Sequence, residues 1–408
     1  MIASRTASIA RTWPRACGGR IVVVGVGGAG VATLAWLADA GGVDTDLVAI
    51  DTSAAALDAL PENGGPLWRP AVPTRILLPR PPRAEASPEA HANAVDAIAS
   101  VLAYALRGAD MVFVVGGLAG ATGGGAAPAI GALARAGGAL TVGFGLAPFS
   151  FEPAARHIAA AAAEAAMVAA GDAVVVLDGD LALGIVGGDV PLEWAATAAR
   201  EVVRQTVIGV SDFADRGGCI QVGHADLARL LRDGGRSCVS IGSGAAALGG
   251  AAPGSGAVAG ASDGAPGPAE LAVAAALEGP FADRDGLAGA ARVLCQITGG
   301  ADLALADVDA AIARLTGAIG PACDLQIGVL THALLPGTAR ATVIGAAVAP
   351  TSCAGVLAFP SAPAIGRTMR PVEDAAAADA ADIAVAADAA DGIGMARERP
   401  VRAWAAAG

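Results

Sequence analysis

The chain has 408 residues, enough for two domains, with 26 basic against 38 acidic side chains and a formal charge of −12. That balance repels nucleic acid and anionic membrane surfaces, and no local basic patch offsets it. Every one of the 26 basic residues is Arg, so a lysine-dependent phosphate loop and Schiff-base chemistry are both excluded.

Residues 1–19 are Arg-rich and acid-free but lack an apolar signal core, and read as a disordered extension. From about 20 to 210, short apolar runs alternate with Ala-rich stretches of helical length. The runs are RIVVVG (20–25), DLVAIDT (46–52), RILLP (75–79), DMVFVVGG (110–117), LTVGFG (140–145) and AVVVLD (173–178). Runs of this kind, separated by helices, predict a mostly parallel sheet covered on both faces, an α/β Rossmann-like domain over 20–205. Helices are expected from Leu192 to Phe213 and from Ala225 to Arg232, the connecting segment spanning 206–243. Residues 244–268 are rich in Gly, Ala, Pro and Ser and read as a flexible insert. A smaller α+β domain is expected over 269–350: a helix at 269–277, RVLCQITGG, a helix around Asp307–Leu315, DLQIGVL and TARATVIGAAVA. The Ala/Asp-rich stretch 351–408 reads as a disordered tail. Six scattered cysteines without CxxC spacing read as small buried hydrophobes in a reducing cytoplasm, and no metal-ligand set is assigned. No run approaches the ~18 apolar residues of a spanning helix, so direct membrane insertion is not expected.

Two glycine loops carry the chemistry. Gly25-Val-Gly27-Gly-Ala-Gly30 follows the first strand and opens a helix, a setting in which backbone N–H groups face an anion. Alone it fits a dinucleotide fingerprint, with Asp51 about 20 residues on in the position of a ribose acid, and so admits an NAD-binding oxidoreductase. The second loop, Gly116-Gly-Leu-Ala-Gly-Ala-Thr122-Gly-Gly-Gly125-Ala-Ala-Pro128, also joins an apolar strand to a helix. Two such loops at neighbouring strand ends can surround a polyphosphate, with Thr122 adding a hydroxyl and Mg²⁺ or a nearby Arg meeting the charge that lysine would otherwise meet.

MVFVVGGLAGATGGGAAP resembles the tubulin-type signature of the FtsZ family of cell-division GTPases, where a GGGTGTG loop stands before AAP. LTVGFGLAPFSFEPAAR, CIQVGHADLARLLRDGGRSCVSIGSG and ARVLCQITGGADLALADVDAAI are similar to further family segments, extending the resemblance over about 20–350. It implies GTP/GDP held by Gly27, Gly28, Ala29 and Gly30 of the first loop and Gly120, Ala121, Thr122 and Gly123 of the second. It also implies Glu152 and Arg156 at the sugar and phosphate side, and Ser87–Ala90 near the terminal phosphate. Self-assembly head-to-tail is the implied partnership, with another FtsZ-type protein as a further partner and a cytoskeletal role in the cytoplasm.

The chain departs from the family pattern at several positions. Val31-Ala32 and Asp51-Thr52-Ser53 replace polar family residues after the first loop and second strand. At the base-reading positions Asp178-Gly179-Asp180 replaces Pro-Asn-Asp, Arg200 replaces Asn, and Ala196 stands where an aromatic covers the base. Arg200 can donate to guanine O6 or N7 or face solvent; Asp178 or Asp180 can accept from guanine N1–H. The family completes hydrolysis with an acidic loop from the neighbouring subunit. Here that loop reads Gln221-Val222-Gly223-His224-Ala225-Asp226. Asp226 and Gln221 are the candidate catalytic residues, with His224 as a substitute base and helix capping as the alternative role of Asp226. One acid fewer predicts slow hydrolysis, or a non-hydrolysing scaffold.

Overall fold

The computed structural model describes residues 19–40, 45–60, 74–82, 87–180, 192–215, 219–220, 222–245, 266–279, 284–320, 322–331 and 337–348. The expected tail at 351–408, nearly all of the N-terminal extension, most of the 244–268 insert and Gln221 lie outside these residues.

Strands β1 (Ile21–Val26), β2 (Asp46–Asp51), β3 (Thr74–Leu77), β4 (Met111–Gly117), β5 (Leu140–Leu146), β6 (Ala173–Leu177) and β7 (Gly235–Ala245) are joined by parallel pairings. The sheet continues through β8 (Ala290–Gly299), β9 (Asp324–Thr331) and β10 (Thr338–Val348), giving the order β3-β2-β1-β4-β5-β6-β7-β10-β8-β9. β10 runs antiparallel to both β7 and β8, whereas β8 and β9 are parallel. Strand β7 is shared: its first residues pair with β6 and the remainder with β10.

Alternation along the strands explains the layers. In β1, Ile21 and Val23 join one core cluster while Val22, Val24 and Val26 join the other, on the opposite face. Helices α1 (Gly27–Ala40), α7 (Leu192–Asp215) and α8 (His224–Leu231) cover the first face. The second is covered by α4 (Ala99–Ala105), α5 (Ala121–Ala136) and α6 (Ala154–Ala170). Each fully buried Val of β1 contributes about 1.5–3 kcal/mol, and β1 contains no polar residue. Short helices α2 (Ala54–Asp58) and α3 (Pro88–Ala94) begin at Ser53 and Ser87, whose hydroxyls accept backbone N–H groups of the first turn. The antiparallel half packs α9 (Pro268–Glu278), α10 (Arg284–Ala288) and α11 (Leu305–Ala318) over a third cluster.

Helix α7 covers the helix expected from Leu192 to Phe213. One element differs from expectation: strand β7 is not among the predicted strands. Its Gly242 and Gly244 lie under α9, where a Cβ would sit 2.0 Å from the Ala272 carbonyl oxygen and 2.1 Å from that of Pro268. The glycines that admit the helix are the same residues that break the apolar run.

No helix among the described residues is long and apolar enough to cross a membrane.

Candidate functional site

In an open parallel sheet, ligands bind beyond the carboxyl ends of the strands, where the chain reverses its direction of winding. Here the reversal falls between β1, followed outward by β2 and β3, and β4, followed the other way by β5 and β6. A cleft of about 390 Å³ opens at that edge. Both glycine loops line it, the first through Gly27, Gly28 and Ala29 and the second through Gly120, Ala121, Thr122 and Gly123.

The loops touch one another. Gly27 has φ +70°, and a Cβ there would stand 3.0 Å from the Gly123 nitrogen and 3.4 Å from the Thr122 Cβ. A Cβ on Gly117 would stand just as close to the Cβ of Ala29, at 3.0 Å. Helix α5 starts at Gly120 with no side-chain cap, so its first-turn N–H groups are left for a ligand at the cleft. Gly30 has a different place. It does not line the cleft: a Cβ on it would meet the Val115 carbonyl oxygen at 2.4 Å, and its role is close packing of α1 on the sheet.

The loop after β5 supplies the next wall through Pro148, Phe149 and Glu152, and the first turn of α6 adds Arg156. Glu152 accepts the Phe149 N–H at 2.9 Å and pairs with Arg156 across one turn. The pair ties the loop to the start of α6, with the guanidinium half exposed beside the cleft. Phe149 stacks on Phe151, with ring centroids 5.2 Å apart. Phe149 was not a site candidate from the sequence, although it lies within the segment that carried the resemblance.

Leu177 and Gly179 from the end of β6 and Ala196, Ala199 and Arg200 from α7 close the far wall. Burial pulls the Arg200 guanidinium below its ordinary value, opposed by the charge of Glu193. Asp178 and Asp180 do not line the cleft. Asp180 accepts the Ser150 N–H at 3.0 Å, and Asp178 accepts the Asp180 N–H at 2.9 Å.

The remaining candidates stand apart from the cleft. Asp226 accepts the Gly223 N–H at 3.1 Å, and the Gly223 carbonyl accepts the Asp226 N–H at 3.0 Å. This reciprocal pair closes the first turn of α8, and neither Asp226 nor His224 lines the cleft of its own chain. Ser87 caps α3, whose Pro88 carbonyl occupies the space that a Cβ on Gly125 would need, at 2.2 Å. Residues 87–90 therefore pack behind the second loop without entering the cleft. Asp51 is buried and accepts the Ser53 N–H at 2.8 Å, so the acid that a dinucleotide reading requires is turned to its own backbone.

Residues 20–187 match the Tubulin/FtsZ family, GTPase domain, and residues 249–349 match the FtsZ family, C-terminal domain. A solved "FtsZ dimer, empty" from M. jannaschii is 26% identical, with a TM-score of 0.65 over 80% of this chain and 88% of that one. A point mutant of FtsZ from M. jannaschii is 27% identical, with a TM-score of 0.66 over 81% and 92%. CetZ2 from Haloferax volcanii, solved as a GTPgS-bound protofilament, shares the fold at 20% identity and a TM-score of 0.63, over 82% and 95%. The matched GTPase domain implies GTP or GDP as the ligand.

Proposed function

Because the chain belongs to the tubulin/FtsZ family, we propose that it is an FtsZ-like GTP-binding protein that assembles head-to-tail through its nucleotide cleft and hydrolyses GTP slowly. One observation carries the binding: Gly27 and Gly123 abut at the ends of adjacent strands, so two amide-rich loops open into one cleft. In a chain without lysine, phosphate charge falls to these N–H groups, the N-terminal end of α5, the Thr122 hydroxyl and Arg156. Among the described residues there is no group of three or more His, Cys, Asp or Glu able to hold a metal ion. Mg²⁺ enters this reading as a companion of the triphosphate, held through the phosphates.

Assembly is supported by apolar side chains beside the cleft. Phe151 and Ile158 are strongly exposed next to Glu152 and Arg156, a composition suited to contact with a second copy or another FtsZ-type protein. The M. jannaschii dimer and the Haloferax protofilament are consistent with that mode.

Slow turnover follows from the loop before α8. With Gly223 in the place of one acid, Asp226 is left to orient water on the nucleotide of a neighbouring subunit. Loss of one positioned acid or base costs about 10²–10⁴-fold in rate. Steady-state phosphate release from purified protein tests this. Turnover at the rate of an orthodox division GTPase refutes the slow-hydrolysis reading, and Asp226→Ala is expected to abolish what activity exists. A second reading, a non-hydrolysing scaffold, is favoured by the capping bond of Asp226, which already gives that carboxylate a structural task. Light scattering with and without GTP separates them, since nucleotide-indifferent assembly belongs to the scaffold.

A further inference from the structure

We propose that Arg200 selects the purine through the O6/N7 edge of the base, making the cleft specific for 6-oxopurine nucleotides and indifferent to the 2-amino group. This deepens the GTP reading above and rests on it.

The position of Arg200 assigns it to the base. Three strand spacings, roughly 14 Å, separate β1, which bears the first glycine loop, from β6, whose end carries Leu177 and Gly179. That distance places a polyphosphate at one end and a base at the other. At the β6 end the walls are apolar or small: Phe149, Leu177, Ala196 and Ala199. Gly179 makes room for Phe149, since a Cβ there would approach the ring to 2.8 Å. Arg200 is the charged side chain of this wall among the described residues. It makes no hydrogen bond within them, and burial outweighs the favourable charge of Glu193, so its N–H donors are open to a ligand acceptor.

The two carboxylates that could have read guanine N1–H and its amino group are otherwise engaged. Asp178 and Asp180 accept backbone N–H groups and stand outside the cleft lining. Among the described residues of this wall, what remains is a donor-only group. Guanidinium has five N–H donors and no acceptor, so it cannot satisfy the Watson–Crick donors of guanine. It matches the paired acceptors O6 and N7, the edge that Arg reads bidentately in nucleic acids. Adenine sets an amino donor beside N7 and leaves part of the fork unpaired.

The experiment is calorimetric titration of the full-length protein with GTP, ITP, 7-deaza-GTP, ATP and inorganic tripolyphosphate. ITP keeps O6 and N7 without the amino group and is expected to bind within about threefold of GTP. 7-Deaza-GTP and ATP each disrupt the paired edge and are expected to bind about 5- to 150-fold more weakly, the range for one bidentate Arg–base contact. In Arg200→Ala the four nucleotides are expected to converge while tripolyphosphate is unaffected; Arg200→Lys, with a single point donor, is expected to recover part of the discrimination. The inference is overturned if ITP falls as far as ATP, if 7-deaza-GTP equals GTP, or if Arg200→Ala weakens tripolyphosphate and all nucleotides alike. The wild-type series stands even if the variants do not fold. Failure of every triphosphate to bind overturns the GTP reading itself, which the other outcomes leave intact.

Discussion

The contact between the two loops is the part of the site most open to a quantitative test. In Gly27→Ala the new methyl faces two separate penalties. The backbone at φ +70° is a conformation that costs an L-residue roughly 1–2 kcal/mol. The Cβ also arrives 3.0 Å from the Gly123 nitrogen, a backbone atom that cannot swing away. Overpacking of that kind adds about 1–3 kcal/mol. Gly108 isolates the first penalty: it has φ +69° and nothing within 4 Å of an added methyl, and it does not line the cleft. Urea unfolding should therefore show Gly27→Ala less stable than Gly108→Ala by about 1–3 kcal/mol. Separation of the loops should also weaken GTP binding at least tenfold in Gly27→Ala and leave it unchanged in Gly108→Ala. Equal destabilisation of the two variants with undiminished GTP affinity would refute the claim that the loops form one cradle.

Three further outcomes are expected. Burial pushes the Glu201 carboxyl up, but hydrogen bonds and charge from Arg204, with Gln205 and Trp36, outweigh it and hold the group below its ordinary 4.5. A depressed folded value stabilises above the unfolded pKa and is lost as pH falls through the folded one, so the stability gap between wild type and Glu201→Gln should narrow below about pH 4.5; a gap independent of pH would remove the ionised network. Gly242→Ala drives a methyl to 2.0 Å from the Ala272 carbonyl oxygen and 2.2 Å from the Ala276 nitrogen, and it should destabilise by at least the ~1–3 kcal/mol typical of overpacking. A neutral thermal scan would contradict the seating of α9 on β7. Finally, burial raises the Cys295 thiol to about 12, whereas Cys219 is exposed. A thiol reagent at neutral pH should label Cys219 in the native protein and reach Cys295 only after unfolding.

The parallel half of the fold was readable because it is written in the simplest code. Each predicted apolar run there lies within two residues of an observed strand, since a strand buried on both faces admits only a continuous β-branched or aliphatic run. β7 escaped because the close approach of α9 demands glycine where a strand would otherwise carry Val or Ile. The same physics separates the glycines of the first loop. Gly27 and Gly28 face the cleft, but Gly30 lies beneath it against Val115, a distinction that the spacing of the motif does not carry. Phe149 was hidden for a different reason: its place at the wall depends on the space at Gly179, thirty residues later, a pairing that local patterns do not expose.

The placement of Arg200 gains meaning from its neighbour in sequence. Residues 200 and 201 sit about 100° apart around α7, so one can face the cleft while the other enters the interior. Glu201 accepts the Trp36 indole N–H at 3.0 Å and the Gln205 amide at 2.6 Å, and it pairs with Arg204. Gln205 in turn accepts from Arg340 of β10. Trp36 belongs to α1, the helix that begins at the first glycine loop, so these bonds join that helix, α7 and the antiparallel half through one half-buried chain of polar groups. Farther along, Gly209 lets α7 press on Thr342, whose hydroxyl would lie 2.9 Å from a Cβ. From Ala196 to Gly209 the helix spans roughly 20 Å. Anchored at Glu201, Gln205 and Gly209, α7 holds the backbone of Arg200 against small displacements, and a guanidinium carried on a fixed backbone can discriminate between bases by the geometry of its fork.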